Sequence, residues 1–468
     1  MQNKKNIILG AGPTGLGVAY GLIKNKIKPK NIFIIEKNIC SGGLAGSFKM
    51  NQDIIDYGPH RLAPTIKQVV KIANEACKND LLIQKSEHGV YIDKVLYNFP
   101  PKIFEWLNLK SIFFILKFIF SLIITRIEFI IFSYKKNGFK KVLEQKFGDF
   151  FYKKIIDPMA KKVWGFSIEL DTSFVHNRFS QLKISQFIIN KIFPRKDLNP
   201  ENFYYPKYGF QQLWDDMVKK QLKNTNIYFN SYPEKLFINK DGYIDKIIFN
   251  KKSINIGKNV NIISTIPVFS LLNCLHNFKK KNEMLNIASN INIRSMILFI
   301  FKFDQKQTLP LRTLIFPEKS VAFNRIYEQN RYSKFTVEKN KSVIVADITY
   351  NKNDNKFKNI DLVSFGKKEL AKLKFINIKN LIETNIKVIE YAYISPTRKS
   401  KKSFEKLEAG LKIIKNLYLV GRFGSGEYDN SDYALMNGIN LADYISKKTD
   451  IKEFKKIIEL RKKNIIVG

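Results

Sequence analysis

Cysteine is nearly absent from this chain. The 468 residues hold three, Cys40, Cys77 and Cys274, far apart and odd in number. That excludes a disulfide framework and any zinc-type cysteine spacing. Histidine is almost as scarce, and His60, His88, His176 and His276 form no pair at ligand spacing, so no metal site is expected. Acid is short relative to base: 41 Asp and Glu against 80 Lys and Arg leave a net charge of +39. Such a field draws phosphorylated small molecules, nucleic acid or anionic lipid. The lysines are spread over the whole length with no nucleic-acid signature, so they read as solvated surface charge and no nucleic-acid partner is expected. Also missing is an uncharged apolar run of the roughly 18 to 20 residues a membrane span needs. A strand pattern starts within a few residues of Met1 and leaves no room for a signal peptide ahead of it. The expectation is a reducing, cytoplasmic setting.

What is present begins with Asn6 to Glu36, a strand, glycine turn, helix and strand in succession. Ile7, Ile8 and Leu9 make a short apolar run of the kind buried on both faces of a parallel sheet. Gly10-Ala11-Gly12-Pro13-Thr14-Gly15 then gives G-x-G-x-x-G. The first glycine permits the turn, the second lets a pyrophosphate approach the backbone, and the third lets helix and strand pack closely. The opening N–H groups of that helix favour a diphosphate, and Pro13 loses nothing in the first turn. Glu36 closes the second strand, twenty-one residues after Gly15. A carboxylate there accepts from both hydroxyls of an adenosine ribose and repels a 2′-phosphate. An adenine dinucleotide site follows, of the type without that phosphate.

Further along, Ser41 to Phe48 reads SGGLAGSF, and Asp56 to Arg61 reads DYGPHR. Ser111 to Tyr134 is densely apolar but broken by Lys117, Arg126 and Glu128. At 100° per residue Lys110, Lys117, Ser121 and Glu128 share one stripe and Arg126 points elsewhere, the pattern of an amphipathic helix with a very wide apolar face. Three readings stand: a helix buried in a subdomain core, one dipping into a membrane surface, or, last, a true span. A second helical stretch, Phe147 to Gly165, ends at Trp164-Gly165, and Tyr204 to Lys220 opens a third. Ile227 to Phe249 reads as a hairpin about Asp241-Gly242, and Val260 to Pro267 as a buried strand leading into a loop. Ile293–Phe303, Ser320–Ile326, Ser342–Thr349 and Ile386–Ile394 are strand-like runs of a mostly antiparallel sheet. Leu417 to Val420 is an apolar strand, followed by the glycine-rich Gly421 to Gly426 and a helix for which Asp432 is the expected N-cap. No second G-x-G-x-x-G occurs, so no dedicated NAD domain is expected.

Taken together, GAGPTGLG, the acid ending the second strand, GGLAGSF, DYGPH and GRFGSGEYDNSDYALMNGINLAD resemble the FAD domain of the amine oxidase superfamily. That group includes monoamine oxidase-like enzymes, protoporphyrinogen oxidase, phytoene desaturase and UDP-galactopyranose mutases. The resemblance implies an α/β fold: a non-contiguous Rossmann-like FAD-binding domain (1–95, 205–268 and 405–450), a helical insert (96–204), a β-rich α+β substrate subdomain (269–404) and a basic tail (451–468). It implies FAD held by Gly10 to Gly15, Glu36, Lys37, Gly43, Leu44, Gly58, Pro59, His60, Arg61, Gly421, Arg422, Asn430 and Asp432. It also implies hydride transfer from an organic substrate to flavin N5, as in protoporphyrinogen oxidase-like proteins, or a redox-neutral isomerisation, as in the mutases, with a flavin-binding protein without turnover as the third reading. Trp164 with Arg178, Arg325, and Arg422 with Tyr428 resemble the mutase pattern of substrate-pocket residues. The chain departs from that pattern at Ala63, where a second histidine is expected, and at Asn430, where an acid is expected. His60, Arg178, Arg325 and Tyr428 are the candidate catalytic residues. The implied substrate is a small molecule, either a nucleotide sugar or an apolar polycyclic or polyene. Peripheral membrane contact, on the inner face, is expected through 111–134.

Overall fold

The computed structural model describes residues 4–99, 109–131, 138–166, 169–172, 202–354 and 357–446. Five parallel strands build the first sheet: β1 (Lys5–Leu9), β2 (Ile32–Ile35), β3 (Asn226–Tyr228), β4 (Val260–Ser264) and β5 (Leu417–Leu419), in the order β5-β4-β1-β2-β3. Each neighbouring pair is parallel. β1 is central, and its apolar run is divided between two cores. Ile8 packs with α1 (Pro13–Lys24) and α2 (Ser431–Ile445), while Ile7 and Leu9 face the opposite side, with Leu236, Leu271 and Leu407. A strand covered on both faces needs no polar alternation, and none is present.

Seven strands form the second sheet, in the order Leu381–Ile394, Ile293–Phe303, Ser342–Asn351, Arg325–Glu328, Thr313–Ile315, His88–Ile92, Val95–Phe99. Period-two alternation decides what each face does. Met296, Leu298 and Ile300 of the second strand enter the core that contains Ile8 and α1. Ile297, Phe299, Phe301 and Phe303 enter a separate core with Leu370 and Leu373. One hydrophobic mass therefore welds the second sheet to the nucleotide-binding layer.

Three expectations need correction. Residues 88–92, placed by sequence within the first segment of the nucleotide domain, pair with Thr313–Ile315 and belong to the second sheet. The strand expected over 320–326 starts only at Arg325 and runs to Glu328. The hairpin is confined to Pro233–Ile238 and Ile244–Phe249; Asn226–Tyr228 joins β2 instead, because a short parallel edge strand carries the same apolar signal as a hairpin arm.

The helical layer runs through Leu109–Ile131, Phe139–Phe147 and a π turn at Tyr152–Ile156 to Asp157–Trp164, where Gly165 closes the helix at φ 82°. Lys162 ties this layer to the second sheet. Its ammonium donates to the carbonyls of Phe316, Val321 and Phe323 at 2.6, 2.8 and 2.6 Å, and to that of Glu318 at 3.2 Å.

Candidate functional site

The turn after β1 has the conformation its glycines allow. Gly10 sits at φ 102°, a region closed to most side chains, and its N–H donates to the Ile35 carbonyl at 2.8 Å. Pro13 is at the first position of α1, and the helix has Gly12 as N-cap with no side-chain cap. The first N–H groups of α1 are therefore left for an outside acceptor. A β-carbon on Gly12 would meet nothing within 4 Å, and one on Gly43 would lie 3.4 Å from the Gly12 Cα. The two glycine segments thus touch, and the side of Gly12 on which a β-carbon would stand borders an open lane. Leu44 follows on a 3-10 turn, Gly43–Ala45.

Glu36 is buried at the end of β2. Its carboxylate accepts from the Ala11 N–H at 2.7 Å and the Asn38 N–H at 2.8 Å. Burial pushes its pKa up, and these backbone donors work against that. A carboxylate has about four acceptor positions, so two remain for a ribose diol. Lys37, next along, is exposed.

The C-terminal segment arrives from the opposite end of the chain. Gly421 lies over Thr14, where an added β-carbon would be 2.8 Å from Oγ1. α2 crosses α1 at glycines on both sides: a β-carbon on Gly17 would fall 2.2 Å from the Leu435 carbonyl oxygen, and one on Gly438 2.1 Å from that of Thr14. Asn430, not Asp432, is the N-cap of α2. Asp432 lies in the first turn, where its carboxylate accepts from the backbone N–H groups of Tyr433 and Ala63, and burial pushes its pKa up to about 6. The expected N-cap was thus set two residues late, because Asn and Asp cap equally well by type.

Asp56 anchors the DYGPH segment. It is buried, accepts from Ser47 Oγ at 2.6 Å, Tyr205 Oη at 2.7 Å and the Phe210 N–H at 3.2 Å, and burial raises its pKa to about 6. The chain then turns through Gly58 and Pro59, and the His60 N–H donates to the Gly58 carbonyl at 2.7 Å. The His60 ring lies 5.1 Å from that of Phe210, and its Nδ1 is buried with no partner among the described residues. Burial, then the charges of Arg325 and Arg422, lower its pKa to about 3, so the ring is neutral. Arg61 contacts the His88 ring, and burial with the same class of neighbour, Arg61 and Arg312, lowers His88 to about 3 as well.

Arg325 Nε donates to Asp347 Oδ2 at 2.9 Å, between directly paired residues of adjacent strands. Burial opposes its charge, but the carboxylate holds it protonated. The side chain is deeply set yet 27% exposed, as a cleft-lining group is. Arg422 donates to the Asp429 carbonyl and stacks over two rings, 5.0 Å from the centroid of Tyr428 and 5.7 Å from that of Tyr393. Trp164 backs both tyrosines edge-on, at 5.2 and 5.5 Å, and is itself only 6% exposed. It supports the wall more than it lines it. Arg178 lies outside the described residues. Sequence reading missed Tyr393, Asp347 and His88; none sits in a motif, and only strand pairing brings them in. Among the described residues no cluster suits a metal ion.

The start of α1, with Gly421 over Thr14, is thereby set near a cationic and aromatic group made of Arg325, Arg422, Tyr393 and Tyr428. Comparison with known proteins agrees with the lane. Residues 8–76 match the family model for an NAD(P)-binding Rossmann-like domain. No curated protein sequence matches the chain. Among solved structures, a reduced UDP-galactopyranose mutase superposes with a TM-score of 0.79 at 21% identity, over 95% of this chain and 94% of the other. A candidate protoporphyrinogen oxidase from Exiguobacterium sp. 255-15 gives 0.70 at 14% identity, over 96% and 100%. Putrescine oxidase bound to putrescine gives 0.63 at 12% identity, over 94% and 98%. With the strand order, the glycine-lined lane and this likeness along almost its whole length, the chain has the fold of the FAD-dependent amine oxidase-like superfamily.

Proposed function

We propose that the protein is an FAD-dependent oxidoreductase whose organic substrate carries negative charge. The residues fit FAD on a direct observation: the uncapped start of α1 borders an open lane that any β-carbon at Gly12 would enter, Gly43 packs against Gly12, and Glu36 stands at the ribose end. Gly12 to Gly15 and Gly43 would hold the diphosphate, and Gly58 to Arg61, with Gly421 and Arg422, the flavin end. When bound, the flavin supplies a hydride acceptor at N5. The chain's own residues do the rest. Arg325 and Arg422 bind and orient the anion, with Tyr393 and Tyr428 holding the second guanidinium flat. His60 stays neutral beside them, a hydrogen-bonding ring and not a cation.

The carrying observation is the pair of guanidiniums, Arg325 and Arg422, close enough to the His60 ring for both to depress its pKa. That charge disfavours a cationic amine. It also favours a second reading, a redox-neutral isomerase of nucleotide sugars, since planar arginine forks suit a diphosphate. Purified protein should show flavin absorbance. Reoxidation of substrate-reduced enzyme by oxygen or dye, with an anionic porphyrinogen or carboxylate substrate, supports the oxidoreductase. Conversion of UDP-galactopyranose to the furanose by dithionite-reduced protein, without net electron transfer, replaces it with the isomerase. Colourless protein that takes up no added FAD defeats both.

A further inference from the structure

The helix Leu109–Ile131 is built inside out. Its polar residues point inward: Ser121 Oγ accepts from the Phe150 N–H at 2.9 Å, and Thr125 Oγ1 from the Asp149 N–H at 3.2 Å. Phe114 joins them on the protein side, 5.3 Å from the ring of Tyr97 and 5.2 Å from that of Phe150. The opposite face presents Phe113, Leu116, Ile119, Phe120, Ile123 and Ile127 to the outside, each 47 to 66% exposed, and continues to Ile130 at 78%. At about 100° per residue these side chains occupy one continuous arc, roughly 120° wide. On the same count Lys117 borders one edge of the arc, with Glu128 beyond it, and Arg126 borders the other. A water-exposed surface helix has the reverse arrangement.

We propose that this face docks on an anionic bilayer, the helix lying in the plane of the membrane with its apolar arc at the boundary of headgroups and acyl chains. Lys117 and Arg126 reach phosphates from the two edges while their stems stay in apolar surroundings. Charge selects this occupant. Between residues 109 and 166 the chain carries twelve Lys and Arg against four Asp and Glu, within a chain of net charge +39. That excess draws an anionic surface and opposes a second copy of the same chain in the same place. Among the described residues no helix is long and apolar enough to cross a membrane. The same layer carries Trp164 behind the cleft tyrosines, so docking sets the enzyme's cleft at a fixed distance from the lipid surface.

The test is flotation of full-length protein with vesicles of phosphatidylcholine alone or with about a third phosphatidylglycerol. Wild type should float with the anionic vesicles. A Phe113→Ser, Phe120→Ser, Ile127→Ser variant should lose at least ten-fold in binding with an unchanged melting temperature. Lys117→Glu with Arg126→Glu should lose the preference for anionic lipid. Should the triple variant fold poorly, Phe120→Trp gives the same answer: its added fluorescence must be quenched by lipids brominated on the acyl chain. Vesicle binding indifferent to these variants, or no quenching at position 120, overturns the proposal. So does a dimer in sedimentation that the triple variant dissociates while vesicles bind neither form; the face is then a contact between copies.

Discussion

Arg422 and Tyr428 form a stacked pair, the guanidinium carbon 5.0 Å from the ring centre, with Tyr393 on the same cation at 5.7 Å. Planarity and not charge alone makes this contact. Arg422→Lys keeps the charge but loses the stack and the fork, a change of about 1 to 2 kcal/mol when the cation is desolvated. Titration of FAD-saturated protein with UDP or pyrophosphate as an anionic probe should show binding weakened by roughly ten-fold.

Two glycines of one turn should fail in different ways. A β-carbon on Gly12 meets only open space, but one on Gly15 would lie 2.0 Å from the Gly10 carbonyl oxygen. Gly12→Ala should therefore melt like the wild type when flavin is stripped and bind flavin far more weakly. Gly15→Ala should unfold or aggregate whether flavin is present or not. Gly12→Asp adds a charge to the lane and should abolish the yellow colour. Equal melting behaviour of Gly12→Ala and Gly15→Ala would contradict the assigned turn.

The buried titrating groups pull in opposite directions. His60 and His88 are lowered to about 3, so below pH 6.5 the unfolded chain binds protons that the native one refuses. Their contribution is lost as pH falls, by up to about 1.4 kcal/mol per unit for each. Asp56 and Asp432 are raised to about 6, so between pH 4 and 6 the native chain binds protons first and gains stability as pH falls. The wild type should show a nearly flat urea midpoint across that interval. A His60→Gln, His88→Gln variant should instead grow more stable from pH 6 down to pH 4. A variant profile parallel to the wild type would mean that neither ring is held neutral.

Lys162 gathers four carbonyls from the segment 316–323. Lys162→Met keeps the apolar stem and removes the donors. Stripping a shared partner from several part-buried carbonyls should cost roughly 2 to 3 kcal/mol. Thermal denaturation reads the loss, and hydrogen exchange should rise in 316–323 before it rises in β1.

The nucleotide lane was legible in the sequence because its chemistry is local. A turn that must reach φ 102° needs Gly10, and a helix start that must meet a diphosphate needs a bare Gly12, whatever the rest of the chain does. The long strand Ile293–Phe303 was equally plain, since a strand covered on both faces needs no polar alternation and Met296 to Phe301 is apolar throughout. Of the substrate cleft proposed above, the sequence offered only the arginines. Asp347 and Tyr393 are ordinary strand residues until register places one opposite Arg325 and the other beneath Arg422. Strands at 88–99 escaped for the same reason, since pairing over more than two hundred residues leaves no local mark. The helix at 109–131 showed its amphipathic pattern but not which side would face out; Ser121 and Thr125 look like solvent residues and act as internal acceptors.

The glycine crossing of α1 and α2 joins residue 17 to residue 435, with almost the whole polypeptide between them. During synthesis the first βαβ unit leaves the ribosome without the surface it packs against, and Leu16, Val18 and Ala19 wait for Ile439 and Ala442 to emerge. Burial of α1 is in consequence an event of the finished chain, and a product truncated before α2 should leave Leu16, Val18 and Ala19 uncovered.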